Sequence, residues 1–327
     1  MAMLQNKKVL ITGGAGFIGS NLIERFIAQD NYIVCLDNFA TGKRKNLEPF
    51  ANNPNFKLIE GDIRDIKVCQ KTVEGIDIVL HQAALGSVPR SIKDPVTTND
   101  VNIGGFVNML TATKDAGIKR FVYAASSSTY GDHPTLPKVE DRIGKPLSPY
   151  AITKYVNELY AEIFSSLYDI ETIGLRYFNV FGKRQDPNGA YAAAIPKFIK
   201  LLINHESPLI FGDGEQSRDF TYIDNVIQMN ELAATTENPD AVNTVYNVAF
   251  GEATTVNYLI EVLKNNLSKF DPEIAKIDPI HGDLRLGDIL HSLAAIDKAQ
   301  NLLGYDPQYS IKAGLEEAID WYWEHLS

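Results

Sequence analysis

The chain has 327 residues, 45% of them hydrophobic and 22% charged, and a formal net charge of −10. That length and composition suit one large α/β unit or two smaller domains. The acidic balance argues against non-specific binding to nucleic acid or to anionic membrane, which needs basic patches, but leaves room for an anionic small molecule held by local arginines.

The first residues lead directly into a strand and leave no room for a secretory signal, and no apolar run reaches the roughly 18 residues of a membrane span, so the expected location is the cytoplasm. Val9–Thr12 reads as a short buried strand that ends in glycines, and Phe17–Gln29 has helical periodicity. Strands are expected at Tyr32–Asp37, Phe56–Glu60, Ile76–Gln82, Phe121–Ala125 and Thr172–Tyr177, with helical segments near Ile66–Val73, Val101–Ala116 and Ser148–Tyr168. The alternation, and apolar strands such as Ile78-Val-Leu80, predict a doubly wound parallel Rossmann sheet with helices on both faces. Cys35 lies in an apolar run and is expected in the core; with Cys69 as its one companion, no disulfide framework is implied.

After Asn179 the rhythm loosens into Gly- and Pro-bearing loops such as Asp186-Pro-Asn-Gly and Phe211-Gly-Asp-Gly. Residues 1–178 are therefore expected to form the nucleotide-binding domain. Residues 179–327 are expected to form a smaller α/β substrate lobe over the carboxyl ends of the strands, where open α/β sheets bind ligands. Tyr222–Val226 and Val245–Val248, within about 220–250, are candidates to return to the first domain.

Gly14-Ala-Gly16-Phe-Ile-Gly19 matches G-x-G-x-x-G between a strand and a helix. Such glycines permit a tight turn and let a pyrophosphate approach a helix N-terminus. Asp37 ends the next strand, 18 residues after Gly19, where a carboxylate binds ribose hydroxyls and repels a 2′-phosphate. NAD is thus favoured over NADP, although Lys43 and Arg44 lie close by. Asp62 and Ile63 follow the third strand and can border an adenine; Gln82, Ala83 and Ala84 follow the fourth, after a His81 expected to be merely packed.

Tyr150 and Lys154 are four apart in a helical segment and so share a face, 24 residues after Ser126. A nearby ammonium favours a phenolate, and with a serine hydroxyl and a nicotinamide the set can move a proton and a hydride at one carbon.

In order along the chain, Thr12–Gly19, Asp37-Asn38, Gly61-Asp-Ile63, Gln82-Ala-Ala84, Ser126-Ser-Ser-Thr-Tyr-Gly131, Tyr150–Lys154 and Leu175-Arg-Tyr-Phe-Asn179 resemble the extended short-chain dehydrogenase/reductase family. Within it the chain looks like the UDP-hexose 4-epimerases, and most like those acting on UDP-N-acetylglucosamine and UDP-N-acetylgalactosamine. Gly86-Ser-Val-Pro-Arg90, Lys145–Tyr150, Asn179-Val-Phe-Gly182 and Gln185–Tyr191 carry that closer likeness.

The resemblance implies a reversible C4 epimerisation through a 4-keto sugar, with NAD taking and returning the hydride. Tyr150 would act as base, and Lys154 would support it and bond the nicotinamide ribose. Ser126 would hold the 4-oxygen, with Ser127 and Ser128 lining the sugar or capping backbone. The cofactor would rest on Gly13, Gly16, Phe17, Ile18, Asp37, Asn38, Gly42, Asp62, Ile63, Gln82, Ala83, Ala84 and Tyr177, together with Tyr150 and Lys154. The family's dehydratases carry Asp-Glu after the catalytic Ser or Thr; Ser127-Ser128 here offers no carboxyl.

A UDP-sugar would be held by Arg218 and Arg285 at the diphosphate, Asp288 at the uridine ribose, Phe211 at the uracil, and Asn179 at the diphosphate or sugar. Gly86, Ser87 and Gln185 would line the sugar, and small Ala193 and Ser292 would leave space for an N-acetyl group. Leu290 replaces an arginine that close subgroup members carry before the His-Ser pair. UDP-N-acetylglucosaminuronate, with Arg90 and Lys93 in reach of a carboxylate, and UDP-glucose or galactose stay open as substrates. No metal is implied, and the family's habit implies a homodimer through a four-helix interface.

Overall fold

The computed structural model describes residues 3–187, 194–283 and 290–327. Its strands are β1 (Lys8–Thr12), β2 (Tyr32–Asp37), β3 (Phe56–Glu60), β4 (Ile78–His81), β5 (Arg120–Ser126), β6 (Glu171–Tyr177), β7 (Val180–Phe181), β8 (Leu209–Phe211), β9 (Ser217–Arg218), β10 (Thr221–Tyr222), β11 (Thr244–Val248), β12 (Thr254–Thr255) and β13 (Ile280–Gly282). The helices are α1 (Phe17–Ile27), α2 (Ile66–Thr72), α3 (Val88–Lys93), α4 (Pro95–Asn99), α5 (Phe106–Asp115), α6 (Pro149–Leu167), α7 (Ala194–Ile203), α8 (Ile223–Thr235), α9 (Val256–Leu267), α10 (Asp297–Leu303) and α11 (Ile311–Leu326).

Seven strands form one sheet in the order β11-β6-β5-β4-β1-β2-β3, all pairs parallel. The two-residue period of a strand divides its side chains between two cores. Val9, Ile11, Ile33, Cys35 and Leu80 join α1 residues Leu22, Ile23 and Phe26 on one face. Leu10, Val34, Leu36, Val79 and Phe121 join Phe106, Met109 and Leu110 of α5 on the other. Each such side chain, fully buried, stabilises the fold by about 1.5–3 kcal/mol, which is why the strands read as unbroken apolar runs. Cys35 and Cys69 are both buried free thiols.

Val245–Val248 does return to the sheet, as the edge strand β11 beside β6. Tyr222–Val226 behaves differently: Tyr222 pairs with Phe181 in a separate two-stranded piece, and the rest opens α8. The reason is spacing. Ile223, Val226, Ile227 and Asn230 fall on one helical stripe, all buried. The remaining segments build small pairs, β9 with β12 and β8 with β13, around α7, α9 and α11. The Tyr322 hydroxyl on α11 donates to the Gly182 carbonyl at 3.0 Å and accepts from the Gly182 N–H at 3.1 Å, pinning the chain just after β7.

Candidate active site

The strand order reverses between β1 and β4, and a crevice opens at their carboxyl ends. Gly13 turns the chain at φ +70, and a Cβ there would lie 2.8 Å from the Ala83 backbone. A Cβ on Gly19 would lie 2.3 Å from the Gly13 carbonyl oxygen, so only glycine lets α1 start this close to the turn. No side chain caps α1 at Gly16, which leaves its first-turn N–H groups for an anion. Gly13, Gly16, Phe17, Ile18, Asp37, Asn38, Gly42, Asp62, Ile63, Gln82, Ala83, Ala84, Tyr150, Lys154 and Tyr177 all line one cavity of about 420 Å³.

Asp37 is buried, its carboxylate accepting the N–H of Ala15 at 2.9 Å and of Phe39 at 2.8 Å. Burial pushes its pKa up, and those two N–H groups pull the other way. The neighbouring cations are engaged elsewhere: Lys43 pairs with Asp186 at 2.8 Å, and Arg44 pairs with Glu60 at 2.6 Å over the Phe39 ring. A 2′-phosphate would meet Asp37 without a committed counter-charge. Asn38 donates to Asp62 at 2.8 Å. Arg64 grips the same carboxylate and, as the largest cause, brings its pKa down to about 2. The donor set therefore fits an unphosphorylated dinucleotide.

Ser126 ends β5, and Ser148 caps α6, accepting the Ala151 N–H at 3.1 Å with Pro149 as the first helical residue. Tyr150 thus sits in the first turn, its own N–H donating to Ser91 Oγ at 3.0 Å, and Lys154 one turn on. The capping foreseen for Ser127 and Ser128 falls to Ser126, whose Oγ accepts the Ser128 N–H at 3.2 Å and the Ser128 hydroxyl at 2.9 Å. Burial raises the Tyr150 phenol, opposed by its hydrogen bond with Ser126. The protein's own groups thus do not bring that phenol down; Lys154 is not among the causes of its shift. Lys154, 3% exposed, donates to the Ala124 carbonyl at 2.7 Å. Burial lowers its pKa to about 8, against the opposing charge of Glu158.

Three polar residues escaped the sequence reading. Asn230 on α8 closes a triangle with Gln82 at 3.1 Å and the Tyr177 hydroxyl at 3.0 Å; its signal was an Asn inside an apolar helical stripe. Asn102 accepts from Leu85 N at 2.7 Å and donates to Thr153 Oγ1 at 3.1 Å, tying the loop after β4 to α6. Asp219, fully buried, accepts N–H groups of Phe250, Gly251 and Ala294 at 3.1, 3.2 and 3.1 Å. His81 is packed and neutral, bonded to Thr12 at 2.9 Å, with burial taking its pKa down to about 3.

Asn179, Gln185, Phe211 and Arg218 line a second cavity, of about 240 Å³. Ser292 is not among its lining residues; its N–H donates at 3.1 Å to the carbonyl of Ser217, the neighbour in sequence of the lining residue Arg218. The backbone at Leu290, rather than its exposed side chain, meets Arg218, whose Nη1 donates to that carbonyl at 3.2 Å. Gly86 lines the first cavity, while Ser87 Oγ caps α3 by accepting the Arg90 N–H at 3.2 Å. Ala193, Arg285 and Asp288 lie outside the described residues. Among the described residues there is no cluster of metal-ligating side chains, and no helix long and apolar enough to cross a membrane.

The sheet reversal, the glycine turn and the buried carboxylate that ends β2 at the cavity define a dinucleotide-dependent enzyme of Rossmann type. Residues 9–249 match the NAD dependent epimerase/dehydratase family, and the chain belongs to that family, with NAD as its cofactor. A UDP-N-acetylglucosamine 4-epimerase from Methanobrevibacter ruminantium M1, solved with UDP-N-acetylmuramic acid, is 39% identical. The match covers 98% of this chain and 99% of that one, with a TM-score of 0.91. UDP-glucose 4-epimerase from Thermotoga maritima, solved with UDP-glucose, is 33% identical over 98% of this chain and 100% of that one, at a TM-score of 0.89. UDP-glucuronic acid 4-epimerase from Bacillus cereus, solved with UDP-glucuronic acid and NAD, is 32% identical over 97% and 99%, at 0.85.

The glycine turn yields a direct test. Gly19→Ala should abolish retention of NAD by the purified protein, measured by cofactor extraction and by titration of added NAD. Wild-type retention would contradict a cradle closed by backbone contact.

Proposed function

We propose that this chain, a UDP-sugar 4-epimerase, interconverts UDP-N-acetylglucosamine and UDP-N-acetylgalactosamine. The observation that carries the reading is the meeting of Ser126, Tyr150 and Lys154 on one wall of the nucleotide crevice. NAD, when bound, supplies a reversible acceptor for the C4 hydride. Ser126 accepts two hydrogen bonds from Ser128, so its own proton is directed elsewhere, toward the Tyr150 oxygen or a sugar oxygen. That orients a relay from the sugar 4-hydroxyl through Ser126 to Tyr150. Burial holds the phenol protonated and Lys154 does not offset that, so the positive charge that would make it a base comes with the nicotinamide when bound, and Lys154, on the same cavity wall, would orient that cofactor. A dehydratase needs further acid and base groups, and Ser127 and Ser128 provide none. Tyr150→Phe should lower turnover by about 100-fold or more while leaving UDP-sugar affinity within about twofold; unchanged turnover in a product assay would remove Tyr150 from the mechanism.

Size supports the N-acetylated sugar. Ser292 is a short side chain on the segment held against Ser217 and Arg218, and a tyrosine there would fill the space beside the sugar. A uronic acid sugar is the second reading, favoured by the half-buried Arg90, three residues past Ser87 on α3. Ser292→Tyr is expected to abolish turnover of UDP-N-acetylgalactosamine and spare UDP-galactose, assayed on a panel that includes uronic forms. Equal damage to both sugars would refute the size argument.

The protein acts as a homodimer in this reading. Ile152, Leu159, Ile163 and Leu167 form an exposed stripe along α6, and Ile92 and Val96 on the adjoining α3 and α4 are 64% and 69% exposed. An exposed apolar face of this extent supports self-association through α6. Ile163→Asp should convert a dimer to a monomer by light scattering; a dimer that persists would place the interface elsewhere.

A further inference from the structure

One turn beyond Lys154 on α6 stands Glu158, 8% exposed. Its two oxygens accept Nε and Nη2 of Arg176 at 2.9 and 2.7 Å, and Arg176, on β6, is itself 3% exposed. The third nitrogen, Nη1, donates to the Glu140 carbonyl at 2.9 Å. The guanidinium lies over the Tyr130 ring, 4.9 Å from its centroid. Tyr130 closes the turn that Ser126 opens, and its hydroxyl donates to Asn247 on β11 at 2.6 Å. Arg176 therefore touches α6, which carries Tyr150 and Lys154, and the serine turn, and it immediately precedes Tyr177 at the crevice.

A buried ion pair is a poor source of net stability, because desolvation cancels most of the attraction. Its presence behind the catalytic wall calls for another reason. We infer that Glu158 and Arg176 are positioning residues for the reaction: Arg176 fixes Glu158 behind Lys154 and ties the serine turn to α6 in one frame. The inference rests on the assignment of Lys154 to the catalytic set.

Glu158 is the anion that supports the Lys154 ammonium against burial. The other titratable groups toward Lys154 give it no such support. His81 on β4 is buried and neutral, and the buried phenols of Tyr123 on β5, Tyr150 on α6 and Tyr177 on β6 all have raised pKa values. Tyr130 in the serine turn is likewise raised, to about 12. Lys93 on α3 and Asp100 after α4 are exposed. Lys154 loses its proton as pH rises through about 8. Without the Glu158 charge that loss moves to lower pH.

The test is Glu158→Gln, read two ways. The Lys154 ammonium is titrated by NMR on protein with labelled lysine, assigned with Lys154→Arg, and kcat is followed against pH on whichever UDP-sugar the wild type turns over. Lys154 should titrate at least half a unit lower, and the alkaline limb of kcat should move with it, while KM stays within about twofold. Since removing one partner leaves Arg176 a buried unpaired charge, the double variant Glu158→Gln with Arg176→Gln is measured alongside and should show the same shift. An unshifted Lys154, a loss of kcat by one factor at every pH, or failure of both variants to fold would each overturn the inference. The NMR titration needs no turnover. A shifted Lys154 with an unmoved kcat limb would instead remove Lys154 from the catalytic set, and the inference with it.

Discussion

The contact on which this site depends is between backbones: Gly13 at the end of β1 lies so close to Ala83 at the end of β4 that no side chain fits between them. The register places Thr12 beside His81, so both strands end level and their loops diverge from one point. From that divergence comes the crevice, and from the crevice the helix N-terminus of α1, the carboxylate of Asp37 and the wall of Ser126, Tyr150 and Lys154 face a common space. Widen the contact by one methyl group and the crevice loses its floor, whatever the remaining residues are.

Several of the polar groups around that floor are ordered by backbone. Asp37 is fixed by two N–H groups, Lys154 by the carbonyl of Ala124, and Ser126 by the amide of the turn it caps. Backbone partners move little, so each group is pre-oriented before any ligand arrives. Burial also leaves the phenol and the ammonium poised in opposite directions, Tyr150 raised and Lys154 lowered to about 8. Each is therefore sensitive to charge added beside it.

The first half of the fold was legible because its signals are local. Buried parallel strands read as apolar runs, the glycine spacing reports a turn, and Tyr150 and Lys154 share a face by helical period alone. Their partners were not legible, because they meet across long stretches of chain. Asn230 reaches Gln82 over 148 residues, and Asn102 reaches Thr153 over 51. Arg176 was visible as part of a motif, yet nothing in Leu175-Arg-Tyr-Phe-Asn179 says that its side chain turns behind α6 to Glu158. Tyr222–Val226 shows the converse: short and apolar, it could be strand or helix by pattern, and the stripe continuing to Asn230 decided for α8.

Asp219 shows how distant segments of the chain are held together. It follows Arg218, and its carboxylate draws in the backbone after β11 and the backbone after Ser292, while its carbonyl accepts Asn179 Nδ2 at 3.0 Å. Three separate segments are thus gathered on one buried acid, next to Arg218 and Asn179 of the second cavity. Burial takes its pKa up to about 7, against the N–H groups that favour the charge. A folded value above the ordinary carboxylate range means that Asp219 binds a proton on folding across the interval between the two. Its contribution to stability is then greatest at acid pH, declines as pH rises toward about 7, and is flat above. The ionised acid accepts more strongly from the gathered N–H groups but is itself less stable buried, so the tie that gathers these segments is tightest in the form that costs the fold most.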